Sequence, residues 1–264
     1  MQITEQMIED FDRDGVVLLK GAFTDYVEGV REAIEQNKAN PSWRERTYRP
    51  DDGGLPFFQD YCVWDQFDGY RALVRDSGMG EMAARLMKSS NARVFHDHVL
   101  VKEPGNSTVT PWHQDAPYYL VEARKTVSFW VPVDPVPRER TIEYVATSHR
   151  WGDDHFRPKR FDGTDLYEND TREVAPDIDA TRDQLDIKGW AVEPGDAVAF
   201  QFGVLHGAPA NASPIRRRVT SIRWVGDDAR FAKRLGPTSP AFPDLEYQDG
   251  AVFEGDDFPV LFQQ

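Results

Sequence analysis

Four short apolar runs, each bounded by a turn signal, constrain this chain more than any other feature. Residues 93–102 end at Glu103-Pro104-Gly105 and residues 127–133 at Asp134-Pro135. Residues 197–205 follow Glu193-Pro194-Gly195-Asp196, and residues 217–225 end at Gly226-Asp227-Asp228. Runs of this length, rich in β-branched and aromatic residues, read as buried strands. Proline fixes φ and glycine admits positive φ, so their placement at the run ends makes the chain reverse there. Strands cut in this way predict an all-β sandwich or barrel core. The 18 prolines, 19 glycines and 12% aromatic content agree with that reading.

The first 90 residues have a different character. Thr4 is placed to cap a helix over 5–13, in which Ile3, Met7, Ile8 and Phe11 form an apolar stripe. Gly15 stops it, and Val16-Val17-Leu18-Leu19 reads as a buried strand. A second helix is predicted over 24–37, a turn-rich aromatic stretch over 41–67, and a third helix over 70–88. Residues 152–188 are dense in Asp, Arg and Glu with little periodicity, which predicts either a solvated excursion or a lid over a site. No repeat or composition shift divides the chain. It reads as one domain over 1–264, with a helical part over about 1–90 and a β core over about 91–228.

The formal net charge of −14 sets 45 acidic against 31 basic residues. Such a balance argues against nucleic acid and against an anionic membrane surface, both of which need clustered Lys and Arg. A small anion feels only its own pocket and is not excluded. The single cysteine, Cys62, rules out an internal disulfide and reads as a small buried hydrophobe. The opening residues show no basic start with an apolar stretch behind it, so the expected compartment is the cytoplasm. Oligomeric state is not legible.

The chemistry concentrates in Thr110-Pro111-Trp112-His113-Gln114-Asp115 and in His206, which follows the third apolar run. In an extended chain alternate side chains share a face, so His113 and Asp115 are expected to point the same way. Two imidazoles and one carboxylate make up the facial triad of non-haem iron(II) oxygenases, which leaves coordination positions open. Spacing alone also fits a surface His-Asp pair and an unrelated core histidine. Arg217, eleven residues after His206, adds a planar fork suited to the far carboxylate of a dicarboxylic acid. Of Arg216-Arg217-Arg218, the central residue is the one expected to face inward.

These stretches resemble the phytanoyl-CoA dioxygenase family. The resemblance rests on Val101-Lys102-Glu103-Pro104-Gly105, the 110–115 segment, Phe129-Trp130-Val131-Pro132, Ser148-His149-Arg150-Trp151, Glu193-Pro194-Gly195-Asp196, and His206-Gly207 with Arg217. It extends from about residue 3 to 228. It implies a mainly β chain with peripheral helices, built on a double-stranded β-helix, the jelly-roll barrel of cupin type. It implies Fe(II) on His113, Asp115 and His206, and 2-oxoglutarate held by Arg217, with Trp130, His98 and Lys102 on the cosubstrate side. Read from the residues alone, His98 is a hydrogen-bonded structural histidine, and His96 shares its strand face, so the two could exchange roles. The chain departs from the family at Arg140-Thr141-Ile142-Glu143 and Ala146-Thr147-Ser148, where relatives carry an Asn-Gly turn and a Pro-Gly. Ser148-His149-Arg150-Trp151 reads as a structural turn.

The expected reaction couples dioxygen and decarboxylation of 2-oxoglutarate, giving succinate and carbon dioxide, to hydroxylation of a small organic metabolite. Trp112, Tyr118 and Tyr119 are the expected substrate-facing residues. Two alternatives are a redox-neutral or non-catalytic metal-binding barrel and, within the same family, an acyl-coenzyme A hydroxylase.

Overall fold

The computed structural model describes residues 1–49, 54–152, 154–160 and 163–264. Residues 50–53 of the turn-rich stretch and 153, 161 and 162 of the charged stretch lie outside the described residues. The helices are α1 (Glu5–Asp14), α2 (Val27–Ala39), α3 (Asp68–Asp76) and α4 (Met79–Met87). The strands are β1 (Val16–Leu19), β2 (Phe57–Tyr61), β3 (Asn91–Lys102), β4 (Thr110–His113), β5 (Val121–Glu122), β6 (Thr126–Pro132), β7 (Glu143–Val145), β8 (Ile187–Lys188), β9 (Ala197–Phe200), β10 (His206–Ala208), β11 (Arg217–Val225), β12 (Arg230–Phe231) and β13 (Val260–Gln263).

The ends of α1 show why the chain turns where it does. The Thr4 hydroxyl accepts from the Met7 N–H, satisfying one donor that the first turn leaves free. Gly15, at φ +76°, closes the helix by donating its N–H to the Phe11 carbonyl at 2.8 Å. A Cβ at Gly15 would stand 2.5 Å from His149 Nδ1, so the position needs glycine for space as well as for conformation.

Seven strands form one antiparallel sheet in the order β1-β9-β6-β11-β3-β13, with β2 also on β3. Four form the opposing sheet, β4-β10-β7-β8. Strand alternation gives the large sheet two faces. On the outer one, Val17, Leu19, Val99, Val101, Phe129, Val131 and Ile222 join a continuous core with the apolar sides of the four helices. Burying each such side chain stabilises the fold by about 1.5–3 kcal/mol. The inner face packs Val16, Trp130, Val198, Phe200 and Val219 against Ile142 and Tyr144 of the small sheet side. This is the jelly-roll barrel, open at the end where β4 and β10 meet.

The structure corrects five readings. The predicted helix over 70–88 is two, α3 and α4, parted at Gly78 with φ +78°. The run 197–205 is strand only to Phe200; the chain then turns, and His206 opens β10 in the other sheet. The turn-rich 41–67 stretch contains β2, which pairs with five residues of β3. Cys62 is half-buried at φ +57°, not fully buried. Beyond residue 228, where the sequence reading assigns no element, β13 returns to pair with β3. Among the described residues no helix is long and apolar enough to cross a membrane.

Candidate metal centre

His113 ends β4 and His206 opens β10, directly opposite each other in the antiparallel pair. Their rings lie 4.2 Å apart between centroids. Asp115 reaches the same point by another route than the sequence suggests. Strand β4 stops at His113, and Asp115 has φ −75° and ψ −39°, so it is a turn and not shared strand periodicity that brings the carboxylate round. The Asp115 and Ala116 N–H groups both donate to the Phe202 carbonyl, which fixes that turn. Asp115 Oδ1 stands 3.7 Å from His113 Nε2 and 3.8 Å from His206 Nε2.

The donor set suits a first-row metal. His113 Nδ1 faces the Pro111 carbonyl at 2.8 Å, and His206 Nδ1 faces the Val204 carbonyl at 2.9 Å. A carbonyl accepts only, so each Nδ1 carries a hydrogen, and Nε2 is the ring atom turned toward Asp115. Burial, and next the neighbouring His113, push the His206 imidazole down to about 3, so it stays neutral. Burial alone would raise the Asp115 carboxyl, but the Arg223 guanidinium and the two imidazoles outweigh it and hold it well below the usual carboxylate range. Two imidazole nitrogens and an ionised carboxylate, converging within 4.8 Å, form the donor set that a divalent ion requires.

Deeper in the barrel, Arg217 of β11 and Lys102 of β3 face each other across the strand pair. Both are buried, at 6% and 2% exposure. The Arg217 guanidinium donates to the Arg140 and Pro209 carbonyls, and Lys102 Nζ to the Thr108 carbonyl at 2.7 Å and Thr110 Oγ1 at 3.2 Å. Neither has a carboxylate partner among the described residues. His98 and Trp130 share one rung with Ser221, and His96 shares the next with Arg223. His98 Nε2 lies 3.1 Å from Gln59 Oε1, and its ring stacks on Tyr61 at 4.0 Å. His96 is fully enclosed, with Nδ1 on the Asp97 carbonyl and its ring edge-on to Phe95 and Tyr119.

The phytanoyl-CoA dioxygenase family model matches residues 11–219. The chain belongs to the phytanoyl-CoA dioxygenase family. It is an iron(II)- and 2-oxoglutarate-dependent dioxygenase. None of the curated protein sequences matches it. Among solved structures it is similar to SnoK, a non-haem α-ketoglutarate-dependent carbocyclase from nogalamycin biosynthesis, with TM-score 0.77 and 20% identity over 98% of this chain and 96% of that one. The epimerase SnoN with Fe3+, α-ketoglutarate and nogalamycin RO gives TM-score 0.76 and 20% identity over 98% of each chain. EctD from S. alaskensis with 2-oxoglutarate and 5-hydroxyectoine gives TM-score 0.71 and 18% identity over 94% and 85%.

In this dioxygenase the three aromatic residues expected at the substrate mouth divide. Trp112 lines an open groove of about 130 Å³ beside His113, and its Nε1 donates to Asp179. Tyr118 stands edge-on to His113 at 5.9 Å and exchanges hydrogen bonds with the Lys159 backbone. Tyr119 departs from expectation. It is buried behind Asp115, its hydroxyl accepting from Arg223 Nε at 3.0 Å, because its ring fills a core with Phe95 and Phe202. The charged stretch borders the groove through Phe156, Arg157, Pro158, Lys159, Val174 and Pro176. Gln114 joins the two, donating to the Gly203 carbonyl at 2.7 Å while accepting from the Phe156 N–H at 2.8 Å.

Sequence reading missed Arg223, the one cation that touches the triad, at 3.3 Å from Asp115 Oδ2. Strand alternation could have found it, since Arg217, Val219, Ser221 and Arg223 fall on one face of β11. Ser148 acts as expected of a structural turn: its hydroxyl donates to the Val145 carbonyl and accepts from the Leu205 N–H, just before His206.

Proposed function

We propose that this dioxygenase hydroxylates a small organic substrate at iron held by His113 Nε2, Asp115 Oδ1 and His206 Nε2, with 2-oxoglutarate lying between that site and Arg217. The observation that carries the reading is the cross-strand pair of buried basic side chains, Arg217 and Lys102, without a carboxylate partner among the described residues. Leaving a charge buried and unpaired is costly, so such a pocket is pre-set for an anionic ligand. Arg217 supplies the planar fork for the far carboxylate and Lys102 a second positive point. Bound iron supplies dioxygen activation coupled to decarboxylation of 2-oxoglutarate.

The chain's own residues do the rest. Trp130 and His98, on one rung, flank the cosubstrate and substrate space. Gln59 Nε2 donates to the Arg46 carbonyl, so Gln59 Oε1 faces His98 and places the hydrogen on His98 Nε2. His98 Nδ1 is then an acceptor, suited to a substrate O–H or N–H. Trp112 and Tyr118 line the entrance. The described residues 156–159 and 174–176 of the charged stretch, beside the groove, serve as a lid. The groove they border, at about 130 Å³, is smaller than the ~300–1,000 Å³ of ordinary ligand pockets, and a lid here would have to open to admit substrate. We read the whole chain as one such domain and place it in the cytoplasm, where a reducing milieu suits one unpaired cysteine and iron(II).

Against coenzyme A thioesters, one of the two basic side chains that border the groove, Arg157, is already engaged, as are Arg138 and Arg182. Arg157 pairs with Asp165, Arg138 with Glu143, and Arg182 with Glu143 and Asp179. Phosphates would need such groups free. EctD is described with 5-hydroxyectoine and SnoN with nogalamycin RO, and we take the same broad class, small organic molecules, for this chain. Succinate formation with iron(II), 2-oxoglutarate and oxygen is measured across small acids, amines, terpenoids and fatty acyl-coenzyme A thioesters. Stimulation by small molecules is expected. Efficient hydroxylation of a thioester, lost when the coenzyme A portion is trimmed, would overturn the substrate reading.

A further inference from the structure

Arg223 is a buried guanidinium, 5% exposed, at the base of the triad. It lies on the inner face of β11, in register with Ser128 of β6 and His96 of β3. All three nitrogens are engaged. Nε donates to the Tyr119 hydroxyl at 3.0 Å, Nη1 to the Ser221 carbonyl at 2.9 Å, and Nη2 to Asp115 Oδ2 at 3.3 Å. Tyr119 is itself immobile, its ring packed edge-on to Phe95 and Phe202 at 5.2 Å each.

The two oxygens of Asp115 therefore stand in different surroundings. Oδ2 is turned to the guanidinium, whereas Oδ1 faces the two imidazoles at 3.7 and 3.8 Å. A carboxylate free to rotate can bind a cation through both oxygens. One whose second oxygen is drawn to an anchored guanidinium is biased to keep that oxygen turned from the cation, because turning it there strains or breaks the bond. The fork is rigid here because its other two nitrogens are anchored to a backbone carbonyl and to a packed tyrosine.

We propose that Arg223 is a positioning residue that keeps Asp115 a one-oxygen ligand, so that the protein supplies three donors and not four. Three protein donors leave room for a chelating cosubstrate and for dioxygen, whereas a two-oxygen Asp115 would take a position that 2-oxoglutarate needs. The inference rests on the assignment of His113, Asp115 and His206 as the metal ligands.

The test uses the full chain, stripped of metal and titrated without oxygen, first with cobalt(II) and then with 2-oxoglutarate. The visible absorption of bound cobalt reports coordination number, a readout that loss of packing alone would not move. In Arg223→Met the cobalt spectrum should change. The affinity of the cobalt form for 2-oxoglutarate should fall by about 10- to 100-fold, the usual effect of losing an outer partner of a ligand. Arg223→Lys, which keeps a cation against Oδ2 but not the fork, should fall between. If Arg223→Met does not fold, Arg223→Lys and Tyr119→Phe decide, each expected to weaken 2-oxoglutarate binding with a shifted cobalt spectrum. Folded Arg223 variants with the wild-type spectrum and affinity would overturn the proposal. Wild-type protein that fails to bind cobalt would instead overturn the ligand assignment on which it stands.

Discussion

At the scale of single residues, two buried basic side chains, Arg217 and Lys102, decide how the barrel meets its cosubstrate. Burial and the Arg217 charge push the Lys102 ammonium down to about 6, so without ligand it is mostly neutral at neutral pH. The far carboxylate of 2-oxoglutarate favours the charged form, so binding takes up a proton there. The sign follows: affinity is highest at and below the free-protein value and weakens as pH rises above about 6, by up to about tenfold per pH unit, the limit for one linked proton. Titration calorimetry of iron-loaded protein in buffers of different ionisation enthalpy should show this uptake, and Lys102→Met should abolish it. A pH-independent affinity in the wild type would remove Lys102 from the pocket. For Arg217→Lys, losing the bidentate fork should cost about 1.5–3 kcal/mol, or roughly 10- to 100-fold in the Kd for 2-oxoglutarate. Unchanged binding in Arg217→Ala would reject its role.

At the scale of elements, the site is assembled by turns. Gly15 between α1 and β1 is pressed against His149 and Val204, in the turn that leads to His206. Gly15→Ala should destabilise by at least about 1 kcal/mol through its positive φ alone, lowering Tm by several degrees. An unchanged melting curve would show that this turn adjusts freely. Gln114, between two ligands, ties the metal turn to the charged stretch through the Phe156 N–H. In Gln114→Leu the stretch should be cut faster by protease at low enzyme ratios, while β-core fragments persist. Equal cutting rates would mean that the tie does not restrain it. The same elements show what a sequence can disclose. β3, β6 and β11 were legible because apolar runs end at Pro-Gly, Asp-Pro or Gly-Asp punctuation. β2 was not, since Phe57-Phe58-Gln59-Asp60-Tyr61 has neither β-branched residues nor a clean polar alternation, and its strand character comes from pairing with β3. The break at Gly78 was masked by the Met and Leu pattern running through it.

At the scale of the whole molecule, the family assignment and the three residues that could hold a metal were readable because that chemistry needs particular side chains at particular spacings. What could not be read was how they meet. His113 and Asp115 converge through a turn held by the Phe202 carbonyl, a contact 87 residues distant in sequence from Asp115. Alternation from Arg217 puts Arg223 on the inner face, but its partner Asp115, 108 residues away, is brought to it only by the closed barrel. Tyr119 was misplaced because adjacency to Tyr118 says nothing of which side of the metal turn each ring occupies. The large sheet, backed by four helices, holds Arg217, Lys102, Trp130 and Arg223 on one inner face, and the small sheet brings His113 and His206 opposite them.

The central claim is that His113, Asp115 and His206 bind iron(II) with 2-oxoglutarate chelated beside them. Anaerobic addition of iron(II) and then 2-oxoglutarate to metal-free protein tests it most directly, followed by visible spectroscopy for the metal-to-ligand charge-transfer band of that chelate. The wild type should develop the band at one equivalent of iron, and Asp115→Ala and His206→Ala should not, with each variant still folded by circular dichroism. No band in the wild type, or an undiminished band in either variant, would contradict the account.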